Sequence, residues 1–160
     1  MAKAKIRVVL DTSILVSALK SKNPRRSPSW RILKALVSGE IENYISREIY
    51  EEMSYTLMKV AEGTKREVVA LHILNLVKKK SIMVRPRRKF SDDPGFLRKL
   101  KDPSDAKFFD VAYAKKVGYI ISENTKHIVQ MRDEATKTYR FDGRKVKILK
   151  AGEFVREVLR

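Results

Sequence analysis

Hydrophobic residues along the chain follow two kinds of pattern. Short apolar runs rich in β-branched residues predict buried strands, over residues 6–10, 41–45, 82–84, 119–122 and 146–149. Apolar residues that recur every three or four positions predict helices between the strands, over residues 13–20, 29–37, 46–62, 64–77, 103–117, 126–134 and 153–159. Strands that alternate with helices indicate an α/β fold with a central parallel sheet of about five strands flanked by helices.

Local signals mark the ends of several of these elements. Asp102 followed by Pro103 is typical of the cap and first residue of a helix. Thr64 with Glu67 predicts a capping box at the start of the helix that ends near residue 77. Residues 85–101 have no regular period and contain Pro and Gly, which predicts an irregular, mobile connector.

Length and composition limit the class of protein. The 160 residues match one ordinary domain, so we predict a single domain over residues 1–160. No cysteine is present, which excludes disulfides and a cysteine nucleophile and suits the reducing cytoplasm. The two histidines are too few for a usual zinc site, so we expect any metal to be bound by oxygen. No run reaches 18 apolar residues, so we expect no membrane span.

The charge changes this picture, because 36 Lys and Arg against 19 Asp and Glu give a formal net charge of +17. The cations concentrate in residues 20–31, 78–89 and 137–150. A single basic run is usually a solvated surface, but three runs favour a polyphosphate partner, because each neutralised phosphate releases counterions. We therefore predict a nucleic acid as partner. The candidate phosphate-binding residues are Arg25, Arg26, Arg85, Arg87, Arg88 and Lys89.

Acidic and polar residues are expected to meet at one edge of the sheet. Asp11 ends the first strand, and Ser122 and Asn124 follow the strand near residue 120, so the parallel sheet directs them to the same crevice. Glu52 is the acid nearest to the apolar stripe of its helix at about 100° per residue. Asp105 lies on the apolar face of the helix that begins at Pro103.

Each acid also has an ordinary structural explanation. Asp105 gains from the dipole of its helix, Asp102 is a good cap, Asp11 can cap the next helix, and Glu52 can be a solvated helix residue. Taken together they favour a divalent-metal site, because carboxylates held close raise each other's pKa unless a cation intervenes. Such a site suits phosphodiester hydrolysis with Mg²⁺ or Mn²⁺, which needs no nucleophilic side chain.

Four segments in this order resemble the PIN-domain family. They are Val8 to Ser13, Ser46 to Glu52, Asp102-Pro103-Ser104-Asp105 and Tyr119 to Ser122. The likeness extends to Ile148 through Phe154 and is greatest to the prokaryotic toxin branch of the family. It implies a three-layer PIN-like fold and a metal-dependent ribonuclease, with a homodimeric state and, for a toxin, an antitoxin partner.

The resemblance also implies roles for individual residues. Asp11, Glu52 and Asp105 stand at the positions of catalytic metal ligands, and Ser13, Ser122 and Asp102 would support them. Asn124 occupies a position where the family often has a further Asp. An Asn keeps an oxygen that can bind Mg²⁺ but removes one negative charge, which lowers affinity for a second metal. Glu123 beside it is a possible replacement.

The sequence is compatible with three classes of function, which fit it to different degrees. The leading hypothesis is a PIN-type endoribonuclease, either a toxin or an RNA-processing enzyme, and the alternative is a non-catalytic nucleic-acid-binding protein with an incomplete acidic site. A phosphoryl-transfer or receiver-like protein that uses Asp11 fits less well, because Ser13 replaces the second acid of an Asp-x-Asp element. Nucleotide binding fits less well still, because the six glycines include no glycine-rich phosphate loop.

Two further side chains have competing interpretations. Trp30 lies in a basic run and could stack on a base, but its apolar neighbours favour packing. His127 could reach the crevice, but a single His near a helix start is more often an ordinary surface group. We therefore do not predict a catalytic role for His127.

Overall fold

A computed structural model describes residues 5–159, which form a mixed α/β fold built on a six-stranded sheet. The strands are β1 (Ile6–Leu10), β2 (Ile41–Ile45), β3 (Ile82–Met83), β4 (Tyr119–Ile121), β5 (Thr138–Phe141) and β6 (Arg144–Leu149). Their spatial order is β3-β2-β1-β4-β6-β5, and all neighbours are parallel except β5 and β6. The predicted α/β class and helix-flanked central sheet are confirmed.

Seven α-helices lie between the strands or after the last strand in this part of the chain. They are α1 (Thr12–Lys20), α2 (Pro28–Ser38), α3 (Arg47–Ala61), α4 (Glu67–Lys80), α5 (Pro94–Leu100), α6 (Ala106–Ala114) and α7 (Ala151–Glu157). Within residues 5–159, none of these helices is long and apolar enough to cross a membrane. The side chain of Trp30 is partly buried and its Nε1 donates to the carbonyl of Ala18 at 2.8 Å, which confirms that it packs.

The central strand β1 carries the core and sets the position of Asp11. Val8, Val9 and Leu10 are buried, as expected for a strand covered on both faces. The register pairs Leu10 with Ile121 of β4, so the two strands end side by side at the same edge of the sheet. The backbone N–H of Asp11 continues this pairing by donating to the carbonyl of Ile121 at 2.9 Å.

The sheet has one strand more than predicted, and its last pair is an antiparallel hairpin. Strands β5 and β6 flank the two-residue turn Asp142-Gly143, in which both residues have positive φ, 49° and 77°. Such a turn follows the twist of an antiparallel pair and favours Asp-Gly. The prediction of an all-parallel sheet was therefore wrong at this edge.

Residues 85–101 are not an irregular connector, contrary to the prediction. They contain a 3₁₀ turn, Phe90–Asp92, and helix α5, which Asp93 caps by accepting from the N–H of Phe96 at 3.1 Å. The Phe90 ring contacts Phe96, Tyr113 and Phe141, with centroids 5.0 to 5.3 Å apart. Tertiary packing of these rings orders a segment that has no regular hydrophobic period.

Other element ends differ from the prediction for identifiable reasons. Thr64 is not the cap of α4: Glu67 accepts from the N–H of Gly63, and Arg66 is the cap residue. The helix predicted over 126–134 is only a 3₁₀ turn, Val129–Met131. The helix predicted over 103–117 begins as the 3₁₀ turn Pro103–Asp105 and continues as α6 to Ala114.

Candidate active site

Asp11 is the buried acid at the centre of the crevice where β1 and β4 end. Its Oδ2 accepts hydrogen bonds from Ser13 Oγ at 2.6 Å and from Ser122 Oγ at 2.7 Å. Burial raises the pKa of Asp11, and the two hydroxyls oppose this shift by stabilising the carboxylate. Ser13 and Ser122 thus hold the orientation of the carboxylate, which is the geometry of the supporting role predicted for them.

Glu52 reaches the same crevice from α3, where two side chains hold its carboxylate. Thr12 Oγ1 donates to Glu52 Oε2, and Lys107 Nζ lies 2.7 Å from Oε1. The side chains of Lys107 and Glu52 are 11% and 29% exposed, so this ion pair is partly buried. Sequence reasoning identified Glu52 and missed Thr12 and Lys107, although Lys107 lies two residues after Asp105.

Asp105 lies at the start of α6 and faces the other acids. Burial is the main reason that its pKa is raised to about 6, and the charges of Asp11, Asp102 and Glu52 raise it further. The structure therefore brings together the three acids predicted as catalytic. Their mutual repulsion makes the crevice a site of unfavourable negative charge in a strongly basic protein.

Asp102 and His127 form the outer part of the acidic cluster. Asp102 Oδ1 accepts from the N–H and Oγ of Ser104 at 3.0 and 2.8 Å, and these bonds lower its pKa. His127 Nδ1 lies 3.2 Å from Asp105 Oδ2 and 3.7 Å from Asp102 Oδ2. His127 was not predicted to belong to the site, because sequence alone did not show which way the turn after β4 would direct it.

Asn124 and Glu123 both form bonds that position backbone segments. Asn124 Oδ1 accepts from the N–H of His127 at 3.2 Å, so a metal bound to this oxygen would compete with that bond. Glu123 Oε1 accepts from the N–H of Ala151 at 3.0 Å, at the start of α7. This bond directs Glu123 towards α7, so it is not a replacement for the missing family Asp.

The predicted phosphate-binding residues are of two structural kinds. Arg25, Arg26, Arg85 and Arg87 are exposed, and no salt bridge within residues 5–159 involves them. Arg88 instead pairs with Asp93 and Asp142, and its guanidinium lies 4.6 Å from the centre of the Phe90 ring. Lys89 Nζ lies 3.9 Å from Glu48 Oε2.

Two cavities beside α6 share Asp110 in their lining, and one of them is lined by part of this basic surface. The first, of about 320 Å³, includes Ser104 and Lys107 and extends to Asp110. The second, of about 380 Å³, also includes Asp110 and is lined by Arg85, Arg87, Arg88 and Lys115. Asp105, just before α6, and Tyr113 of the second cavity lie eight positions apart, which is about 12 Å at 1.5 Å per residue.

Comparisons with known proteins place this geometry in a family. The chain is 31% identical over 159 residues to an uncharacterized protein of Methanocaldococcus jannaschii, covering 98% of this chain and 94% of that protein. Its fold is similar to the crystal structure of PAE2754 from Pyrobaculum aerophilum, with TM-score 0.59 and 15% identity, covering 97% of this chain and 91% of that one.

A second solved structure has a similar fold. It is VapBC2 from Rickettsia felis bound to a DNA fragment from their promoter, with TM-score 0.51 and 19% identity, covering 76% of this chain and 90% of that one. The family model described as PIN domain matches residues 7–126, which include every acid of the crevice. The chain therefore belongs to the PIN domain family.

Proposed function

We propose that this protein is a metal-dependent endoribonuclease of PIN type that hydrolyses phosphodiester bonds in RNA. The observation that carries the proposal is the convergence of Asp11, Glu52 and Asp105 at one edge of the sheet, with the pKa of Asp105 raised to about 6 by burial and by the neighbouring acids. Membership of the PIN family supports a nuclease. The net charge of +17 supports a nucleic-acid substrate.

The donor set fits Mg²⁺ or Mn²⁺. Both ions prefer carboxylate oxygens, and a divalent cation would relieve the repulsion that raises the pKa of Asp105. We assign Asp11, Glu52 and Asp105 as the residues that would hold it; the oxygen of Asn124, predicted as a further donor, accepts from the N–H of His127. When bound, such an ion supplies Lewis-acid activation of water and stabilises charge on the leaving oxygen.

The chain's own residues orient this chemistry. Ser13 and Ser122 fix the Asp11 carboxylate, and Thr12 and Lys107 fix the Glu52 carboxylate. Preorganised groups of this kind avoid reorganisation during the reaction. Lys107 also lines the cavity that includes Ser104 and Asp110, beside its ion pair with Glu52.

Cleavage of an end-labelled, mixed-sequence single-stranded RNA tests the proposal. We expect cutting with Mn²⁺ or Mg²⁺, none with EDTA, and a loss of at least about 100-fold in Asp11→Asn. Removal of a group that only orients a metal ligand costs about 10- to 100-fold, and loss of a ligand should cost no less. Equal cutting by the wild type and by Asp11→Asn, purified identically, would attribute the activity to a contaminating nuclease.

The RNA is expected to extend from the crevice to Arg85 and Arg87. Replacing both arginines with Gln should weaken RNA binding and reduce the slope of log K against log salt by about 1.4, because each single-strand phosphate contact contributes about 0.7. The charge-matched control is Lys34→Gln with Lys65→Gln, two exposed lysines outside both cavities. If both double variants change the slope equally, Arg85 and Arg87 have no special role.

The biological setting that fits this activity is a toxin held by an antitoxin. The fold likeness to VapBC2 of Rickettsia felis motivates an antitoxin partner, and an RNA-processing role is the other possibility within the same chemistry. We also propose a homodimer and a cytoplasmic location. Sedimentation of the purified chain, alone and with the product of a neighbouring gene, measures both forms of assembly.

A non-catalytic RNA-binding protein is the second candidate, and one observation favours it. The acids already have partners within the chain, Lys107 for Glu52 and His127 for Asp105, and Asn124 supplies no charge. The variant Asn124→Asp separates the candidates. Increased metal-dependent cleavage supports the nuclease, whereas RNA binding without cleavage in both proteins supports the second candidate.

A further inference from the structure

The turn that follows β4 presents an imidazole to the acidic cluster. The N–H of Asn124 donates to Ser122 Oγ at 2.9 Å, and Asn124 Oδ1 accepts from the N–H of His127 at 3.2 Å. These two bonds fix the turn between the end of β4 and His127. Asn124 thus acts on the backbone, while the side chain three residues later lies beside Asp102 and Asp105.

The donor atoms of these three side chains are close enough to share one ion. His127 Nδ1 lies 3.2 Å from Asp105 Oδ2 and 3.7 Å from Asp102 Oδ2, and ligand atoms of the three residues all lie within 4.8 Å of one another. Adjacent ligands of an octahedral ion at 2.0 to 2.2 Å are separated by about 3 Å, and opposite ligands by about 4.2 Å. The observed separations need only small side-chain rotations to reach these values.

We infer that Asp102, Asp105 and His127 form a mixed nitrogen and oxygen metal site that selects Mn²⁺ over Mg²⁺, with His127 Nδ1 as a direct ligand. The inference rests on the proposed function, because Asp105 belongs to both sets of acids. His127, rather than Asn124, then compensates for the missing family Asp. This differs from the expectation from composition that any metal would be bound by oxygen alone.

The selectivity follows from the chemistry of the donors. Mg²⁺ favours oxygen ligands and gives up its water reluctantly, whereas imidazole is a good ligand for first-row transition metals. Mn²⁺ is the member of that series that also accepts carboxylate and water readily. In a site with two carboxylates and one imidazole, the imidazole nitrogen therefore increases the affinity for Mn²⁺ and adds little to the affinity for Mg²⁺.

Electron spin echo envelope modulation of bound Mn²⁺ tests the ligand directly, because a coordinated imidazole nitrogen gives a characteristic ¹⁴N coupling. The protein is purified without a polyhistidine tag and loaded with less than one equivalent of Mn²⁺. We expect the coupling in the wild type, its loss in His127→Gln, and its retention in His72→Gln. His72, the other histidine of the chain, lies exposed on α4 and is the matched control.

Titration of the same proteins adds an affinity measurement. His127→Gln is expected to bind Mn²⁺ at least about tenfold more weakly, with Mg²⁺ affinity changed less than about threefold. Asp102→Asn, which keeps the oxygen that accepts from Ser104, should weaken Mn²⁺ binding while the bound fraction retains the ¹⁴N coupling. Equal melting temperatures in EDTA exclude a folding defect in either variant.

The outcomes separate this inference from the proposed function. If Mn²⁺ binds without ¹⁴N coupling, His127 is only an ion-pair partner of Asp105 and the inference is overturned, while metal-dependent cleavage can still hold. If neither ion binds the wild type, both proposals fail. Cleavage that depends on metal, together with a nitrogen coupling that depends on His127, supports both.

Discussion

Replacing Glu153 with Gln is expected to lower the free energy of unfolding by about 3 kcal/mol at pH 7, because it breaks a largely buried ion pair and leaves Arg132 with only the exposed carboxylate of Glu134 as ion-pair partner. Arg132 Nη1 lies 2.7 Å from Glu153 Oε1, and Arg132 Nη2 lies 3.2 Å from Oε2. The side chain of Arg132 is 4% exposed and that of Glu153 is 14% exposed. Chemical denaturation of both proteins at pH 7 measures the difference.

The pair joins the segment after the 3₁₀ turn Val129–Met131 to the end of β6 and the start of α7. Arg132 Nη1 also donates to the carbonyl of Ile148 in β6 at 2.8 Å, and Glu153 Oε1 accepts from the N–H of Lys150 at 2.8 Å. Gln at position 153 can keep the bond to Lys150. The substitution therefore tests the charge of Glu153 and largely preserves the start of α7.

Glu134→Gln is the matched control, because Glu134 pairs with the same guanidinium but is 76% exposed. An exposed ion pair contributes about 0 to 1 kcal/mol, so we expect a change of about 0.5 kcal/mol or less. Arg132 lowers the pKa of Glu153 to about 2. The stabilisation is therefore fully present above pH 4.5 and disappears as pH falls through about 2. Similar losses of stability in Glu153→Gln and Glu134→Gln at pH 7 would contradict the assignment of this stabilisation to the ion pair of Arg132 with Glu153.

The sequence predicts the parts of the fold whose cause is local. A buried strand followed by an acid is visible as Val8 to Asp11, and parallel topology then places Asp11 and Ser122 at the same edge of the sheet. The periodic stripe of α3 orients Glu52 towards the crevice. These features need only the hydrophobic pattern and the rule that ligand sites lie beyond the carboxyl ends of parallel strands.

The hairpin of β5 and β6 is marked in the sequence by its turn residues rather than by a hydrophobic run. Asp142-Gly143 is a strong hairpin dipeptide, since both residues adopt positive φ in the two-residue turn. Strand β5 is an edge strand with partly exposed positions, so its hydrophobic pattern is weak. Turn chemistry rather than periodicity identifies this element.

Other parts of the structure depend on contacts between residues distant in sequence. Phe90 is ordered by rings from α5, α6 and β5, and Lys107 is recognised as a partner of Glu52 only when α6 packs beside α3. His127 reaches Asp105 through a turn fixed by Asn124. No local pattern in the sequence specifies these three arrangements.

Asp110 connects this tertiary packing with the proposed RNA surface. Its side chain is 3% exposed, and its Oδ1 accepts from the N–H of Phe90 at 2.7 Å, which anchors the segment that carries Arg85 and Arg87. Burial is the main cause that raises the pKa of Asp110 to about 6. At neutral pH the buried carboxylate of Asp110 therefore lowers the stability of the fold, while its oxygen accepts the hydrogen bond that fixes Phe90.

We compare the free energy of unfolding of Asp110→Asn with that of the wild type. The difference, variant minus wild type, is expected to be about 2 kcal/mol larger at pH 7.5 than at pH 4.5. Protonated Asp110 favours the folded state fully below pH 3.8, and this contribution is lost as pH rises through about 6. Asn keeps the oxygen that accepts from Phe90 and carries no charge.

Asp110→Ala, which removes the acceptor, should be less stable than Asp110→Asn at both pH values. Denaturation curves at the two pH values measure these differences, and a pH-independent gap between Asp110→Asn and the wild type would show that Asp110 titrates near its usual pKa.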